Sequence, residues 1–433
     1  MSEWKEYKVE DIISEISMGP FGSDVKKEVY TSFGIPILNG ANLQGFKLKE
    51  DSFGYVSEEK ANSLKKCNAY RGDIVVTHRG TLGQIVYIPN NSKFDRYVIS
   101  QSQFRFTCNN DIVRPDFLVY LFHTKEGQHK ILSNASQVGV PALARATTTF
   151  RQIKVKIPSL SVQTKITNIL SSLDDKIEVN RRINEQLEEL AGALFKSWFV
   201  DFEPFKDGEF VDSELGMIPK GWKVGTFSNV VDSTLGGDWG KENEQGNYTK
   251  EVFCIRGADI PEIKIGNRGK MPIRYILEKN FAKKSLANND LVVEISGGSP
   301  TQSTGRVCRV TSELLEKYNN SLICTNFCRA IKPFADYSAY IYYYWQYLYD
   351  QGTMFNYENG TTGIKNLMIN DILDKEPIVI PPINIVEQYK DVVETFATKI
   401  QKNGEEIEKL TTLRDTLLPK LMSGEIDVNE VEI

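Results

Sequence analysis

The chain has 433 residues, 41% apolar and 25% charged, too long for one ordinary core and suited to two or three domains. It holds no run of about 18 uncharged apolar residues, and its start, Met1-Ser2-Glu3-Trp4-Lys5, lacks the basic-then-apolar pattern of a secretory signal. A net charge of −5 argues against a bulk binder of nucleic acid, and six cysteines without a CxxC pair, beside only three histidines, argue against disulfides and zinc, so the expectation is a cytoplasmic protein with reduced thiols.

Residues 1–158 read as a mixed α/β domain. Strand-like runs at 35–38, 74–77, 85–88, 103–107 and 155–157 are bounded by Gly, Asp and Asn. Asp116 can cap a helix over 117–122. Arg71-Gly72-Asp73 precedes a strand as a turn, not as an adhesion signal. The segment carries 21 basic against 16 acidic residues, a balance of +5.

Over 159–203 the period changes. Ile166, Leu170, Leu173, Ile177, Asn180, then Ile183 or Asn184, then Leu187, Leu190 and Leu194 follow a heptad-like spacing, which predicts a long helix with a coiled-coil seam. Residues 204–383 form a second α/β domain, with strand-like runs at 252–255, 291–295, 306–310 and 378–380 and a balance of 20 basic to 22 acidic residues. Its helix places Tyr340, Tyr343, Tyr344 and Tyr347 on one face, expected to be a core face rather than a stacking platform for bases. Residues 384–433 give a second long helix with a cleaner seam: Tyr389, Val393, Phe396, Ile400, Asn403, Ile407, Leu410, Leu413, Leu417 and Leu421.

The chain is a two-fold repeat. Trp4-Lys5 matches Trp222-Lys223, the turn and strand at 71–76 match those at 288–293, Phe104 matches Phe327, Ile157-Pro158 matches Ile380-Pro381, and Leu187, Leu190 and Leu194 match Leu410, Leu413 and Leu417. The order is domain, helix, domain, helix. The expected fold class is α+β: two similar α/β domains joined by two long helices that form an antiparallel intramolecular coiled coil with pseudo-two-fold symmetry. A helix of about 40 residues spans roughly 60 Å. Asn180 and Asn403 hold equivalent mid-helix places and are expected to meet at the axis and pin the register, as a buried Asn does in other coiled coils.

The run from Leu173 to Ala191, the run from Leu194 to Phe205 and the closing Leu417-Leu418-Pro419-Lys420-Leu421-Met422-Ser423-Gly424-Glu425-Ile426 resemble the conserved helical regions of type I restriction–modification specificity subunits. Gly34-Ile35-Pro36-Ile37-Leu38-Asn39-Gly40, and Arg71-Gly72-Asp73-Ile74-Val75 followed by Gly80-Thr81-Leu82-Gly83, resemble that family's target-recognition domains. Asn39 departs from the basic residue expected there, which the second copy supplies as Arg256. The resemblance implies a non-catalytic subunit that reads a bipartite, asymmetric site on double-stranded DNA, with a spacer set by the helix pair. It implies two methyltransferase subunits binding S-adenosylmethionine, endonuclease and translocase subunits using ATP and magnesium, and no cofactor in this chain.

Base readout needs Arg, Lys, Asn or Gln on loops, and phosphate contacts need Lys, Arg, Ser or Thr. In the first domain that chemistry points to Ser23, Lys26, Lys27, His78, Arg79, Thr81, Gln101, Gln103, Arg145, Thr147 and Thr148. In the second it points to Lys241, Arg256, Ser296, Ser299, Gln302, Arg306, Asn326, Thr361, Thr362 and Lys365. The Gly-rich run 297–306 lacks the Gly-Lys-Ser/Thr ending of a nucleotide-binding loop. No amino-methylation motif and no catalytic or metal constellation stands out, which disfavours a methyltransferase with fused specificity domains. A coiled-coil scaffold without a DNA role is disfavoured by the basic first domain. The aromatic segment 195–205 fits either a partner interface or a packed joint into the second domain.

Overall fold

The structure is a computed structural model that describes residues 4–22, 24–136, 140–299, 301–360 and 364–428. They form two compact units. One runs to Asp175 and is completed by the chain from Thr411 onward; the other is Lys176–Leu410. Each unit holds part of both long helices, Leu160–Phe199 and Ile383–Ser423. Among the described residues no helix is long and apolar enough to cross a membrane.

In the first unit the strand Asp73–Thr77 is buried throughout, and its alternate side chains feed two cores. Ile74 and Val76 join Ile85, Phe104 and Phe106 against the helix Pro115–His123, while Val75 turns the other way to Val86, Leu38, Tyr97 and Ile99. A strand with period-two side chains and both faces covered reads as a continuous apolar run. The antiparallel sheet has the order Ile13–Met18, Gln103–Cys108, Asp73–Thr77, Ile85–Tyr87. A five-stranded sheet that includes Ile35–Ile37, Arg96–Val98 and Asn68–Tyr70 packs on its far face.

The second unit repeats this plan. Its sheet runs Val231–Gly236, Cys328–Pro333, Leu291–Glu294, Val307–Arg309, again antiparallel. Leu291 and Val293 share the core of the tyrosine-rich helix Ser338–Asp350, and Val292 faces the opposite core. The turn into the central strand is the same in both: Asp73 Oδ2 accepts from Tyr70 N–H at 2.9 Å, and Asp290 Oδ2 from Ala287 N–H at 2.8 Å. In each unit an early strand pairs with the one preceding a long helix, Lys5–Lys8 with Lys154–Ile157 and Lys223–Thr226 with Pro377–Ile380. Tyr340, Tyr343 and Tyr344 are buried, and their hydroxyls bond to Val379 O, Glu188 and Val379 N–H, so this stripe is a core face with its polar ends satisfied.

Strand register corrects one match in the repeat. Phe104 lies opposite Val76 and Arg329 opposite Val293. Since Val76 and Val293 are equivalent, the counterpart of Phe104 is Arg329, and Phe327 falls in the loop before the strand, 63% exposed.

Within each unit the helix segments run antiparallel. In the first, Arg414 donates to Asp174 Oδ1 at 2.8 Å, while Val162 and Ile166 line a cavity with Ser423 and Gly424. In the second, Asn180 Nδ2 donates to Glu406 Oε2 at 2.8 Å, and Tyr389 donates to Ala191 O at 3.1 Å. The expected Asn180–Asn403 contact is replaced by an offset one: Asn403 Nδ2 donates to Asn184 Oδ1 at 2.8 Å, and Asn184 Nδ2 donates to Ile265 O at 2.8 Å and Ile400 O at 3.1 Å. The seam is corrected as well: Leu190 and Leu413 are 52% and 47% exposed, and Ala191, Phe195 and Phe199 are buried in their stead. A straight helix at 3.6 residues per turn walks off a strict 3.5 pattern by about 20° per heptad, which shifts the buried stripe one residue along.

Asn184 is 0% exposed and holds three hydrogen bonds. Asn184→Leu is expected to cost about 1–3 kcal/mol by stranding the Asn403 amide. Adding Asn403→Leu should restore part of that loss, checked as a double-mutant cycle by chemical denaturation.

Candidate nucleic-acid interface

In the first unit three strand ends meet at one edge of the four-stranded sheet, and the loops leaving them are tied into a knot. Gly19 N–H donates to Gln103 O at 2.8 Å, His78 N–H to Ser102 O at 2.8 Å, Leu143 N–H to His78 O at 2.9 Å and Gly80 N–H to Pro141 O at 2.9 Å. A Cβ on Gly19 would sit 2.0 Å from Ser100 O, so only glycine permits that approach. The knot brings together His78, Arg79, Thr81 and Gln101, and Arg145 follows the strand Ala142–Leu143 that bridges to Arg79. Arg79, Thr81, Gln101, Arg145 and Thr148 are exposed, and Thr147 is half-buried. Lys26 and Lys27 are exposed further along the loop that begins at Gly19; Ser23 lies outside the described residues. Burial lowers the pKa of the His78 imidazole, whose Nε2 lies 3.2 Å from Gln101 O.

Gln103 is corrected. It is 1% exposed and its Oε1 accepts from Ser100 N–H at 2.9 Å, so it fastens the loop and cannot reach a base.

The second unit builds the same knot from different residues. Ile295 N–H donates to Phe327 O and Leu367 N–H to Ile295 O, both at 2.9 Å, and a Cβ on Gly237 would sit 2.0 Å from Thr325 O. Ser296, Asn326 and Lys365 come together here, through pairing of Ser296–Gly297 with Lys365–Leu367. Ser299 and Gln302 close a small turn beyond it, Ser299 N–H donating to Gln302 O at 2.7 Å. Thr361 and Thr362 lie outside the described residues. Lys241 stands apart, exposed and bridged to Tyr275, with its Nζ 5.6 Å over the Tyr248 ring.

Two arginines are committed elsewhere. Arg306 forks onto Glu294 through Nε at 2.7 Å and Nη2 at 2.6 Å. Arg256 forks onto Asp259 at 2.9 and 3.1 Å and donates to Lys270 O at 2.6 Å. Burial pushes the Asp259 carboxyl up, but the Arg256 fork and backbone donors outweigh it and hold the pKa below the usual carboxylate range. Both arginines therefore serve as struts, because the geometry that would grip a guanine is already spent on a carboxylate.

Selection by polarity alone misses the apolar rim. Phe21 is 82% exposed and Val140 56% in the first knot; Trp239 is 37%, Phe327 63% and Ile364 63% exposed in the second. Phe21 and Trp239 each follow the tightly fitted glycine by two residues, a signal visible only once the loops are aligned. Such groups can touch a thymine methyl or a base face. Among the described residues no group of His, Cys, Asp or Glu is placed to hold a metal ion.

A family profile described as the type I restriction modification DNA specificity domain matches residues 1–189. The chain is 28% identical over 445 residues to the type I restriction enzyme MjaIX specificity subunit of Methanocaldococcus jannaschii, covering 99% of this chain and 95% of that one. It is 24% identical over 494 residues to the type I restriction enzyme HindI specificity subunit of Haemophilus influenzae, covering 98% and 100%. The crystal structure of a type-I restriction-modification system S subunit from M. genitalium has the same fold, with a TM-score of 0.54 at 15% identity over 97% of this chain and 96% of that one.

Proposed function

We propose that this chain is a type I restriction–modification specificity subunit, as its likeness to such subunits along nearly its whole length supports, and that each of its two loop knots reads one half of a bipartite, asymmetric DNA site. The chain is the non-catalytic DNA specificity subunit of such a complex; neither the scaffold reading nor the fused methyltransferase is favoured. The observation that carries the two-half-site reading is the knot itself, built twice on one topology from unlike side chains. Target recognition is assigned to 1–158 and 204–383, and the linking role to 159–203 and 384–433. Two methyltransferase subunits supply S-adenosylmethionine, and restriction subunits supply ATP and magnesium.

We further propose a pseudo-two-fold relation with its axis through the helix pair. What supports it is register within Lys176–Leu410: Asn180 bonds beside Ile407 and Asn184 bonds to Asn403, and both 180/403 and 184/407 are repeat equivalents. Two related readers on such an axis suit the symmetry of duplex DNA.

The test is a single-molecule methylome of a methylation-free host carrying this chain with its methyltransferase partner. Two short half-sites at a fixed gap, lost when this chain is omitted, are expected; a motif that persists without it would overturn the reading. The helix length is proposed to set the gap. Four residues inserted near Asn180 lengthen a helix by about 6 Å, so the gap is expected to grow by one or two base pairs with both half-sites unchanged. Altered half-sites at a constant gap would count against a ruler.

A further inference from the structure

The two knots differ in how their basic side chains are engaged. In the second unit Arg306 holds Glu294, Arg256 holds Asp259 and Lys365 holds Glu358 at 2.7 Å. The carboxylate side chains are 8%, 2% and 6% exposed, so these pairs do not open cheaply: removing the cation strands a buried charge. In the first unit Lys26, Lys27, Arg79 and Arg145 are exposed and form no ion pair among the described residues. Charge balance points the same way independently, 21 basic to 16 acidic residues over 1–158 and 20 to 22 over 204–383. Among the second unit's candidate contact residues Lys241 is the exception, exposed and without an ion pair among the described residues, and it stands away from the knot, over the Tyr248 ring.

We propose that the two units divide the work of binding: the first supplies the salt-dependent phosphate contacts, and the second reads its half-site with little counterion release. The inference rests on the DNA-reading function above. A free Lys or Arg that neutralises a phosphate displaces a condensed cation, and each such contact adds about 0.9 to the slope of log affinity against log salt. An arginine already forked onto a buried carboxylate brings no net charge to the phosphate. It offers fixed geometry instead, and its glutamate repels the backbone.

The test measures affinity of the assembled methyltransferase complex for a duplex carrying its motif, between about 50 and 200 mM salt. Lys26→Gln with Arg79→Gln is expected to lower the slope by about 1.8, roughly a tenfold change in affinity across that range. Lys365→Gln should leave the slope where it was. Glu358→Gln keeps the acceptor for Thr304 but frees Lys365, and is expected to raise the slope by about 0.9. That gain cannot arise from misfolding. Equal falls for the variants of both units, or no gain from Glu358→Gln, would overturn the division of labour. A wild-type complex with no preference for its motif would overturn the reading beneath it.

Discussion

Phe195→Ala is expected to cost about 3–5 kcal/mol of unfolding free energy, the range for deleting a large ring from a closed core. Phe195 is 0% exposed. Its ring centroid lies 5.3 Å from Phe199, 5.3 Å from Tyr344 and 5.7 Å from Tyr340. The segment after it continues inward: Phe202 and Phe205 pack on Trp222 at 5.5 and 5.0 Å. The aromatic run 195–205 is thus a packed joint inside the second unit. Four of the five tryptophans, Trp198, Trp222, Trp239 and Trp345, lie in Lys176–Leu410, so intrinsic fluorescence in a urea titration follows this unit. Leu190→Ala is the control. A seam leucine would cost about 2–5 kcal/mol, whereas a leucine 52% exposed should change stability by no more than about 0.5 kcal/mol.

A glycine pair gives the second large effect, with opposite signs. Gly192 and Gly404 both sit inside long helices, where glycine costs about 0.5–1 kcal/mol relative to alanine. A Cβ on Gly192 meets nothing within 4 Å. A Cβ on Gly404 would lie 2.0 Å from Gly266 O and 2.6 Å from its carbonyl carbon. Gly192→Ala is therefore expected to stabilise by about 0.5–1 kcal/mol. Gly404→Ala should destabilise, because forcing backbone apart costs about 1–3 kcal/mol or more and outweighs the propensity gain. It also pushes away the Ile265 carbonyl that Asn184 holds. Thermal unfolding of the two variants in parallel checks the sign; a stabilised Gly404→Ala would mean that the loop yields freely.

The duplication and both long helices were legible in the sequence because the apolar period changes abruptly after Pro158 and Pro381 and returns at a constant spacing. The central strands were legible because Asp73 and Asp290 mark the same turn before an apolar run. The seam beyond Asn184 was not, since a heptad count cannot show that a straight helix drifts off it. Loop chemistry was half legible. Arg79 and Arg145 look no different from Arg306 in sequence, and only the fold reveals that Glu294, 12 positions away, occupies the last of these. Gln103 misleads for a related reason: a polar side chain at the first residue of a strand can as readily fasten the preceding loop as face solvent.

The first unit closes on its own far end. Leu418, Leu421, Met422 and Val428 fill the core that holds Ile74, Phe104 and Phe117. During synthesis those residues leave the ribosome only after the intervening 176–410, which at about 5–20 residues per second takes roughly 10–50 s. The half of the protein made first is thus the half finished last. Until then it keeps an apolar face open, and a nascent chain stalled before Thr411 exposes to chaperones and proteases a surface that the finished chain has sealed.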